Sequence, residues 1–311
     1  MTATGWVVRG LGRLSNVPLD RQLADLASRK YPAYARLPRS MRSRYDVRET
    51  TIEGCPVLRL TPRSGASGQH LIYAHGGAYV HALVGKQWWF IDRSTRGTGV
   101  TITLPFYRLA PEGGVERGYE LFRTVYAELT ATGSGAQVTL AGDSAGGGMA
   151  LGQAIAYREA GGPTPRQVVL FSPWVDISLA NPAIPSLQHR DPMLDLAETA
   201  AFGRLWAGRV DERHPSLSPL YADLAGLPPV HTFQGGRDIL AADAQLLADR
   251  LREVGNPGTF TFVPGAFHNY VGAFWTREAR TALRTVRQLL RPPFLIAAQP
   301  GAGRGKMVVW E

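Results

Sequence analysis

The sequence predicts an α/β protein in which a mostly parallel sheet of about eight strands carries helices on both faces. Short β-rich runs recur along the chain, and helical patterns lie between most of them. The first runs instead follow one another without a helix, which indicates an antiparallel edge, because parallel neighbours need a long crossover. The predicted strands are 43–52, 57–61, 70–74, 100–105, 138–142, 168–172, 230–234 and 259–263.

Helices are predicted where apolar residues recur every three or four positions. In the first long helix Leu121, Val125 and Leu129 recur at spacings of four, so one face is apolar. The alternation of these segments with the strands favours a sheet covered on both faces. The predicted long helices are 115–130, 145–160, 239–254 and 276–290.

Two segments depart from this alternation, and they define the predicted domain organisation. Residues 1–40 contain one amphipathic helix, and residues 173–228 form a proline-rich excursion with a helix near 195–208. Long insertions in compact folds are usually lids or separate sub-elements. We therefore expect 1–40 to be an N-terminal cap segment and 41–291 the main domain, with 173–228 contributing to the cap. The glycine- and proline-rich end, 292–311, is expected to be a poorly ordered tail.

Charge and cysteine content limit the partners and the compartment. Lys plus Arg number 34 and Asp plus Glu 25, a formal net charge of +9. The arginines are scattered along the chain without a run of five basic residues, which favours a solvated basic surface over a nucleic-acid site. No apolar stretch is long enough to span a membrane, and no signal peptide is recognisable. Cys55 is the single cysteine, so no intramolecular disulfide can form and we expect a cytoplasmic protein.

The strongest chemical motif is Gly-Asp-Ser-Ala-Gly at 142–146, a G-x-S-x-G pattern centred on Ser144. It follows a predicted strand and precedes a predicted helix. A serine on such a strand-to-helix turn projects its hydroxyl above the sheet, and small neighbours let the backbone bend tightly. A glycine-rich phosphate loop is disfavoured because no lysine follows the glycines. Ser144 is therefore the candidate nucleophile.

A second glycine-rich turn, His75-Gly76-Gly77-Ala78, follows the predicted strand 70–74 directly. Acyl transfer creates an oxyanion, which needs two or three backbone N–H groups aimed at one point. A glycine-rich turn can supply them without side-chain obstruction. A plain tight turn at a strand end remains the alternative for this motif taken alone.

The base and its acid are predicted from their order after the serine. His268 lies in a loop between the last predicted strand and the last helix, and Asp238 follows the preceding strand. The order Ser, Asp, His at the ends of successive strands is the one that this type of site requires. Asp243 is the rival acid, although it lies a turn inside the following helix. Because His75 adjoins the glycine turn, we expect it to hold that loop rather than act as a base.

These motifs together resemble the hormone-sensitive-lipase-like branch of the α/β-hydrolase superfamily, which includes bacterial esterases and arylacetamide deacetylases. The resemblance covers roughly residues 70–290 and implies an α/β-hydrolase fold, with the cap covering an acyl pocket of a catalytic domain. The stretches that carry it are HGGAY at 75–79, YRLAPE at 107–112, GDSAGGG at 142–148, SPW at 172–174, DPML at 191–194, SPL at 218–220, LPP at 227–229, GGRDIL at 235–240 and GAFHNY at 265–270.

The resemblance also implies roles for backbone groups. The amides of Gly77, Ala78 and Ala145 are expected to donate to the oxyanion, with Gly76 as the residue that forms the turn. The family usually has a third glycine where this chain has Ala78. The amide is retained there, so the oxyanion hole should survive, although the methyl group narrows it. The family's receptor offshoots lack the histidine, and the presence of His268 favours an enzyme.

The expected activity is hydrolysis of small-molecule carboxylic esters with short to medium acyl chains, with no metal and no cofactor. The same triad also serves amidases, deacetylases and peptidases, and the same fold serves non-catalytic ligand-binding proteins, so both alternatives stay open. We keep a homodimer as one option for the assembly. Three tryptophans, Trp88, Trp89 and Trp174, are candidate substrate-binding residues, although core packing is the expected role of at least one of Trp88 and Trp89.

Overall fold

One eight-stranded sheet organises the protein. The computed structural model describes residues 18–28, 33–131 and 137–292. Within these ranges the strand order is β1-β2-β4-β3-β5-β6-β7-β8, which confirms the predicted number of strands. The strands are Tyr45–Ile52 (β1), Cys55–Pro62 (β2), His70–Ala74 (β3), Thr101–Pro105 (β4), Val138–Asp143 (β5), Gln167–Phe171 (β6), Val230–Arg237 (β7) and Thr259–Phe267 (β8).

The sheet is antiparallel at one edge and parallel in the remainder. β1 pairs with β2 as a hairpin, and β2 pairs antiparallel with β4. From β4 onwards every pairing is parallel, beginning with His70 opposite Thr101 and opposite Val138. The predicted antiparallel edge and mostly parallel sheet are therefore confirmed. All carboxyl ends of β3 to β8 meet at one edge, where ligand sites of open α/β sheets lie.

Helices cover both faces of the sheet, and two of them begin at a residue whose side chain caps the first turn. The side chain of Asp195 accepts hydrogen bonds from the amides of Ala197 and Glu198, and that of Thr276 accepts one from the amide of Ala279. The helices are Leu19–Ser28 (α1), Arg39–Arg42 (α2), Gly85–Thr95 (α3), Val115–Thr130 (α4), Ala145–Glu159 (α5), Ile184–Leu187 (α6), Leu196–Ala207 (α7), Ala241–Glu253 (α8) and Arg277–Leu290 (α9), with short 3₁₀ turns at Gln188–Arg190, Pro219–Tyr221 and Tyr270–Gly272.

The sheet separates two apolar cores. In β3, Leu71 and Tyr73 belong to the core under α3 and α9, whereas Ile72 and Ala74 belong to the core under α4, α5 and α8. This alternation follows from the two-residue period of a strand. β4, β5 and β6 are buried along their whole length, as expected for parallel strands with helices on both faces.

β7 and β8 run further than the sequence predicted, and the extension positions the site. The predicted ends were residues 234 and 263, but Arg237 still pairs with Phe267 after an irregularity at Gly235. A Cβ on Gly235 would lie 2.5 Å from the carbonyl oxygen of Phe267. The glycine pair therefore bends the strand instead of ending it, and the two extended ends deliver residues 238 and 268 side by side.

The predicted cap segments touch each other and the main domain. Gln22 of α1 donates a hydrogen bond to Glu198 of α7 at 3.2 Å. α7 also lies over the loop after β3, where Trp206 stacks on Tyr79 with 4.6 Å between ring centroids. Both contacts are compatible with the cap predicted from residues 1–40 and 173–228. Residues 1–17, 29–32 and 293–311 lie outside the described residues, and with them most of the predicted tail.

Candidate active site

Ser144 occupies a sharp turn between β5 and α5. Its backbone has φ 55° and ψ −123°, a left-handed conformation that costs about 1–3 kcal/mol for a residue with a side chain. The amide of Ser144 donates to the carbonyl of Phe171, and its carbonyl accepts from the amide of Trp174, both at 2.9 Å. The flanking glycines are required by space, since a Cβ on Gly142 would lie 2.2 Å from the carbonyl oxygen of Gly146. The turn therefore holds the serine in its strained conformation.

His268 and Asp238 form a buried hydrogen-bonded pair at the ends of β8 and β7. The imidazole Nδ1 lies 2.8 Å from Oδ2 of Asp238. The same carboxylate accepts from Gln234 Nε2 at 2.8 Å and from the amide of Leu240 at 2.9 Å. Since Asp238 can only accept in its ionised form, geometry assigns the imidazole proton to Nδ1. Nε2 is then the basic nitrogen.

The charges around His268 favour its protonated form. Burial lowers the pKa of the imidazole, but the charge of Asp238 and its hydrogen bond raise it, and the charges of Asp191 and Asp143 raise it further. The net result is a pKa above the ordinary value of about 6.5. A raised pKa makes the imidazole a stronger proton acceptor, which suits the role of a general base.

The loop after β3 carries the predicted oxyanion-hole residues. Among the described residues, no hydrogen bond is recorded from the amides of Gly77, Ala78 or Ala145, and Ala145 N lies at the start of α5, where helical amides have no intrahelical partner. Gly76 differs, because its amide donates to Asp143 Oδ1 at 2.9 Å. Its position in the structure matches the turn-forming role and not that of a donor to substrate.

His75 holds this loop, as its position in the sequence suggested. Its Nδ1 donates to the carbonyl of Gly76 at 2.9 Å, and its ring stacks on Tyr107 with 4.6 Å between centroids. The hydroxyl of Tyr107 in turn donates to the carbonyl of His75 at 2.7 Å. Burial lowers the pKa of His75. The residue is therefore tied into the loop and does not reach the base position.

Asp143, the residue before the serine, has a buried carboxylate that connects several segments of the site. The sequence alone did not single it out. Its Oδ1 accepts from the hydroxyl of Tyr73 at 2.6 Å and from the amide of Gly76 at 2.9 Å. Its Oδ2 accepts from Gln87 at 3.1 Å and from Asn269 Nδ2 at 3.2 Å. One carboxylate thus joins β3, the glycine loop, α3 and the histidine loop. Its partners are distant in sequence, so only its place inside the motif hinted at a role.

Asn269 was also missed, and it contacts the imidazole directly. It has a left-handed backbone, with φ 55°, which asparagine tolerates better than most residues. Its Nδ2 lies 3.3 Å from Nε2 of His268 and also donates to Asp143. Among the described residues, no hydrogen bond joins the Ser144 hydroxyl to the imidazole. Such bonds are often long without substrate and tighten when it binds.

The three tryptophans fall into two groups. Trp88 has no exposed surface, and its indole N–H donates to the carbonyl of Ala35 at 2.7 Å. Trp174 is equally buried and donates to the carbonyl of Asp176 at 2.8 Å. Because neither offers surface to a ligand, we correct their predicted substrate-binding role and assign both to the core. Trp89 is 42% exposed on the outside of α3.

The rival acid, Asp243, lies away from the imidazole in a separate buried contact. Its Oδ1 accepts from Asn181 Nδ2 at 2.9 Å, and its Oδ2 is buried without a hydrogen-bond partner. Burial is the main cause that raises its pKa to about 7. Its position fits a tie between α8 and the insertion, whereas the contact with His268 belongs to Asp238.

No group of three or more His, Cys, Asp or Glu side chains within the described ranges is arranged to hold a metal ion. None of the helices within those ranges has the length and apolar character needed to cross a bilayer.

Known proteins with a similar sequence and fold place this geometry in a family. A family model described as alpha/beta hydrolase fold matches residues 71–272. An acetyl-hydrolase of Streptomyces hygroscopicus is 33% identical over 202 residues, which are 65% of this chain and 68% of the relative. A triacylglycerol lipase of Mycobacterium tuberculosis is 30% identical over 230 residues, which are 72% of this chain and 47% of the relative.

Among solved structures, an esterase from the bacterial hormone-sensitive lipase (HSL) family superposes with a TM-score of 0.76 and 26% identity, covering 93% of this chain and 96% of the other. The match therefore extends well beyond the catalytic motifs. The family model, the relatives and this fold agree: the chain belongs to the α/β-hydrolase fold family, in its hormone-sensitive-lipase-like branch.

Proposed function

We propose that the protein is a serine carboxylester hydrolase that works through Ser144, His268 and Asp238. The observation that carries the proposal is the buried 2.8 Å contact between His268 Nδ1 and Asp238, at the same sheet edge as the strained turn of Ser144. Nucleophile, base and acid arranged in this way activate a hydroxyl for attack on an acyl group. Relatives named as esterase, lipase and acetyl-hydrolase support the proposal of ester hydrolysis.

The reaction proceeds in two halves. The Ser144 oxygen attacks the ester carbonyl carbon while Nε2 of His268 takes the hydroxyl proton, and Asp238 stabilises the imidazolium that forms. The tetrahedral intermediate collapses, the imidazolium gives its proton to the leaving alcohol, and an acyl-enzyme remains. Water then attacks this ester with His268 as base again, which releases the acid and restores the serine.

The oxyanion is assigned to three backbone amides. Gly77, Ala78 and Ala145 have N–H groups without a recorded partner among the described residues, and two of them follow β3 while the third opens α5. Preorganised amides of this kind stabilise the developing negative charge more in the intermediate than in the substrate. The N-terminus of α5 adds a favourable dipole at the same point.

The acyl preference proposed is for short to medium chains. Ser144 and His268 are only 8% and 3% exposed, and Trp206 of α7 stacks on Tyr79 of the glycine loop. Each added CH₂ group that is buried against apolar walls contributes about 0.8 kcal/mol to binding until the space is filled. We therefore expect kcat/KM to peak at acyl chains of about C2 to C6 and to fall steeply beyond about C10. A series of p-nitrophenyl esters measures this. Efficient hydrolysis of long-chain triglycerides would contradict the enclosed site.

The nucleophile is tested by Ser144→Ala. We expect kcat to fall by about 10³- to 10⁶-fold with unchanged folding, since a small hydroxyl contributes little packing. An organophosphate should add mass to the peptide that contains Ser144 in the wild type and in the control Ser43→Ala, which changes an exposed serine. An active Ser144→Ala variant, or label on another serine, would show that the wrong nucleophile was assigned.

Ester and amide hydrolysis are separated by matched substrates. An acetyl ester and an acetyl anilide of similar size present the same acyl group to the site, so the ratio of their kcat/KM values reports the leaving-group preference. We expect the ester to be preferred. A preference for the anilide would make the protein an amidase with the same triad, and absence of burst acylation on both would favour a non-catalytic binding protein.

A further inference from the structure

A line of arginines runs along α9 and its C-terminal end. Four arginines of the helix recur at spacings of three and four, which places them within an arc of about 80° on a helix with 100° per residue, and a fifth follows directly after its last residue. The first three are exposed and the last two are half-buried. We call these residues the basic stripe: Arg277, Arg280, Arg284, Arg287 and Arg291.

Among residues 18–28, 33–131 and 137–292, no carboxylate forms an ion pair with the basic stripe. The remaining segments, 1–17, 29–32, 132–136 and 293–311, contain a single acidic residue, Glu311. Burial lowers the pKa of Arg287, and the charges of Arg291, Arg284 and Arg96 lower it further. The basic stripe therefore presents positive charge that an anionic partner could neutralise.

Aromatic side chains cluster at the N-terminal end of the basic stripe. Trp275, just before α9, is 53% exposed, and its ring meets Phe274 at 5.2 Å in an edge-on contact. The guanidinium of Arg93 lies 3.8 Å from the centre of the Phe274 ring. We call Phe274 and Trp275 the aromatic end, and Trp89, one turn before Arg93, is a further exposed aromatic residue on the neighbouring α3.

The aromatic end lies beside the segments that carry the catalytic groups. α3 follows the glycine loop at 75–78, and Trp275 follows His268 by one short 3₁₀ turn. Both therefore lie towards the carboxyl edge of the sheet, the edge from which Ser144 projects. The basic stripe runs from this edge along the outside of α9.

We propose that the basic stripe and the aromatic end bind an anionic lipid surface. Arginines attract negatively charged headgroups over about one Debye length, and tryptophan rings settle at the boundary between headgroups and acyl chains. The arginines could also bind a polynucleotide. However, the stripe follows a convex helix instead of a groove, and the aromatic rings lie at one end of it instead of along a path on which bases could stack. Lipid binding in this orientation brings the catalytic edge towards the bilayer.

The proposal is tested with the full chain and vesicles that the protein cannot hydrolyse. Ether-linked phosphatidylglycerol at 30 mol% in ether-linked phosphatidylcholine supplies the charge without an acyl ester, so binding is measured independently of any esterase activity. The triple variant Arg277→Gln, Arg280→Gln, Arg284→Gln removes the exposed part of the basic stripe. The control variant Arg48→Gln, Arg117→Gln, Arg209→Gln removes the same charge from exposed positions on three other surfaces.

Flotation should show wild-type and control proteins bound at low salt, with much weaker binding at 500 mM NaCl or to pure phosphatidylcholine. Each arginine near such a surface contributes about fivefold, so the triple stripe variant should bind about 100-fold more weakly. Trp275→Ser should weaken binding without changing its salt dependence. Unchanged activity on soluble p-nitrophenyl acetate verifies that each variant is folded.

Three results would overturn the proposal. If the stripe variant bound vesicles as tightly as the wild type, the basic stripe would not take part in the contact. An equal loss of vesicle binding in the stripe variant and the control variant would mean that binding depends only on the net charge of the protein. A 24-base-pair DNA duplex that binds more tightly than the vesicles and displaces them would assign the surface to nucleic acid.

Discussion

Asp243→Asn is expected to stabilise the protein at alkaline pH and to leave catalysis intact. Asp243 Oδ2 is buried without a partner, and Oδ1 accepts from Asn181 alone. Burial, and to a smaller extent the charge of Asp176, raise the pKa of the carboxyl from 3.8 to about 7. At neutral and alkaline pH the wild type must therefore hold a charge that its surroundings disfavour.

The sign and size of the effect follow from that shift. Because the folded state holds the proton more tightly than the unfolded chain, stability is lost as pH rises from about 4 to about 7. A shift of about 3 pKa units at about 1.36 kcal/mol each gives a loss of up to about 4 kcal/mol above pH 7. Asparagine removes the charge but leaves its buried NH₂ group, with two N–H donors, unpaired, which costs about 1–3 kcal/mol. We expect a net gain of about 2 kcal/mol at pH 8 and almost none at pH 5.

Urea unfolding of wild type and variant at the two pH values measures the gain, and the kinetics of both give the catalytic readout. kcat of Asp243→Asn should stay within about threefold of the wild type. Asp238→Asn is the matched comparison and should cost about 10²- to 10⁴-fold in kcat, because the wrong imidazole tautomer is then favoured.

The stability measurement and the kinetic measurement test separate claims about Asp243. A stability gain that is equal at pH 5 and pH 8 would mean that Asp243 does not ionise across this range. A larger loss of kcat in Asp243→Asn than in Asp238→Asn would mean that the wrong acid was assigned.

Two further predictions concern the base and the buried carboxylate beside the nucleophile. Since the charges around His268 raise its pKa, kcat/KM should fall with decreasing pH around a midpoint above about 6.5, and a pH profile flat from 5 to 8 would exclude a histidine base. Asp143→Asn should lower kcat by about 10²-fold with KM little changed, because the amide cannot accept all the bonds that position Gly76 and Asn269. The control Asp46→Asn, at an exposed carboxylate, should have normal kinetics, and a kcat within threefold of wild type for Asp143→Asn would refute the positioning role.

The periodic parts of the fold were predictable, whereas strand ends were not. Long helices followed from the 3.6-residue repeat of apolar side chains, and strands followed from short β-rich runs between them. The glycine pair Gly235 and Gly236 was interpreted as the end of a strand, because glycine usually weakens one. In the structure the strand continues, since Gly235 lies so close to the carbonyl oxygen of Phe267 that only a glycine fits.

The site was predictable where it depends on order along the chain, and unpredictable where it depends on distant contacts. Asp238 and His268 were chosen because they follow successive strands, and the structure places them in contact. The contacts of Asp143 reach loops that only the folded chain brings together. Trp88 and Trp89 are neighbours on one helix, and apolar character alone did not indicate which of them faces the sheet.

The link between the 173–228 insertion and the acid loop has a consequence for how substrates are discriminated. Asp191 accepts at 2.8 Å from the amide of Ile239, the residue directly after Asp238, the proposed acid. We expect a bulky acyl group that displaces the insertion to pull on this bond and to shift Asp238 with it. The poor fit of a large acyl group would then disturb the contact between Asp238 and His268. Oversized esters should therefore bind with nearly normal affinity but react with a low kcat, so that the enzyme would select among substrates by rate.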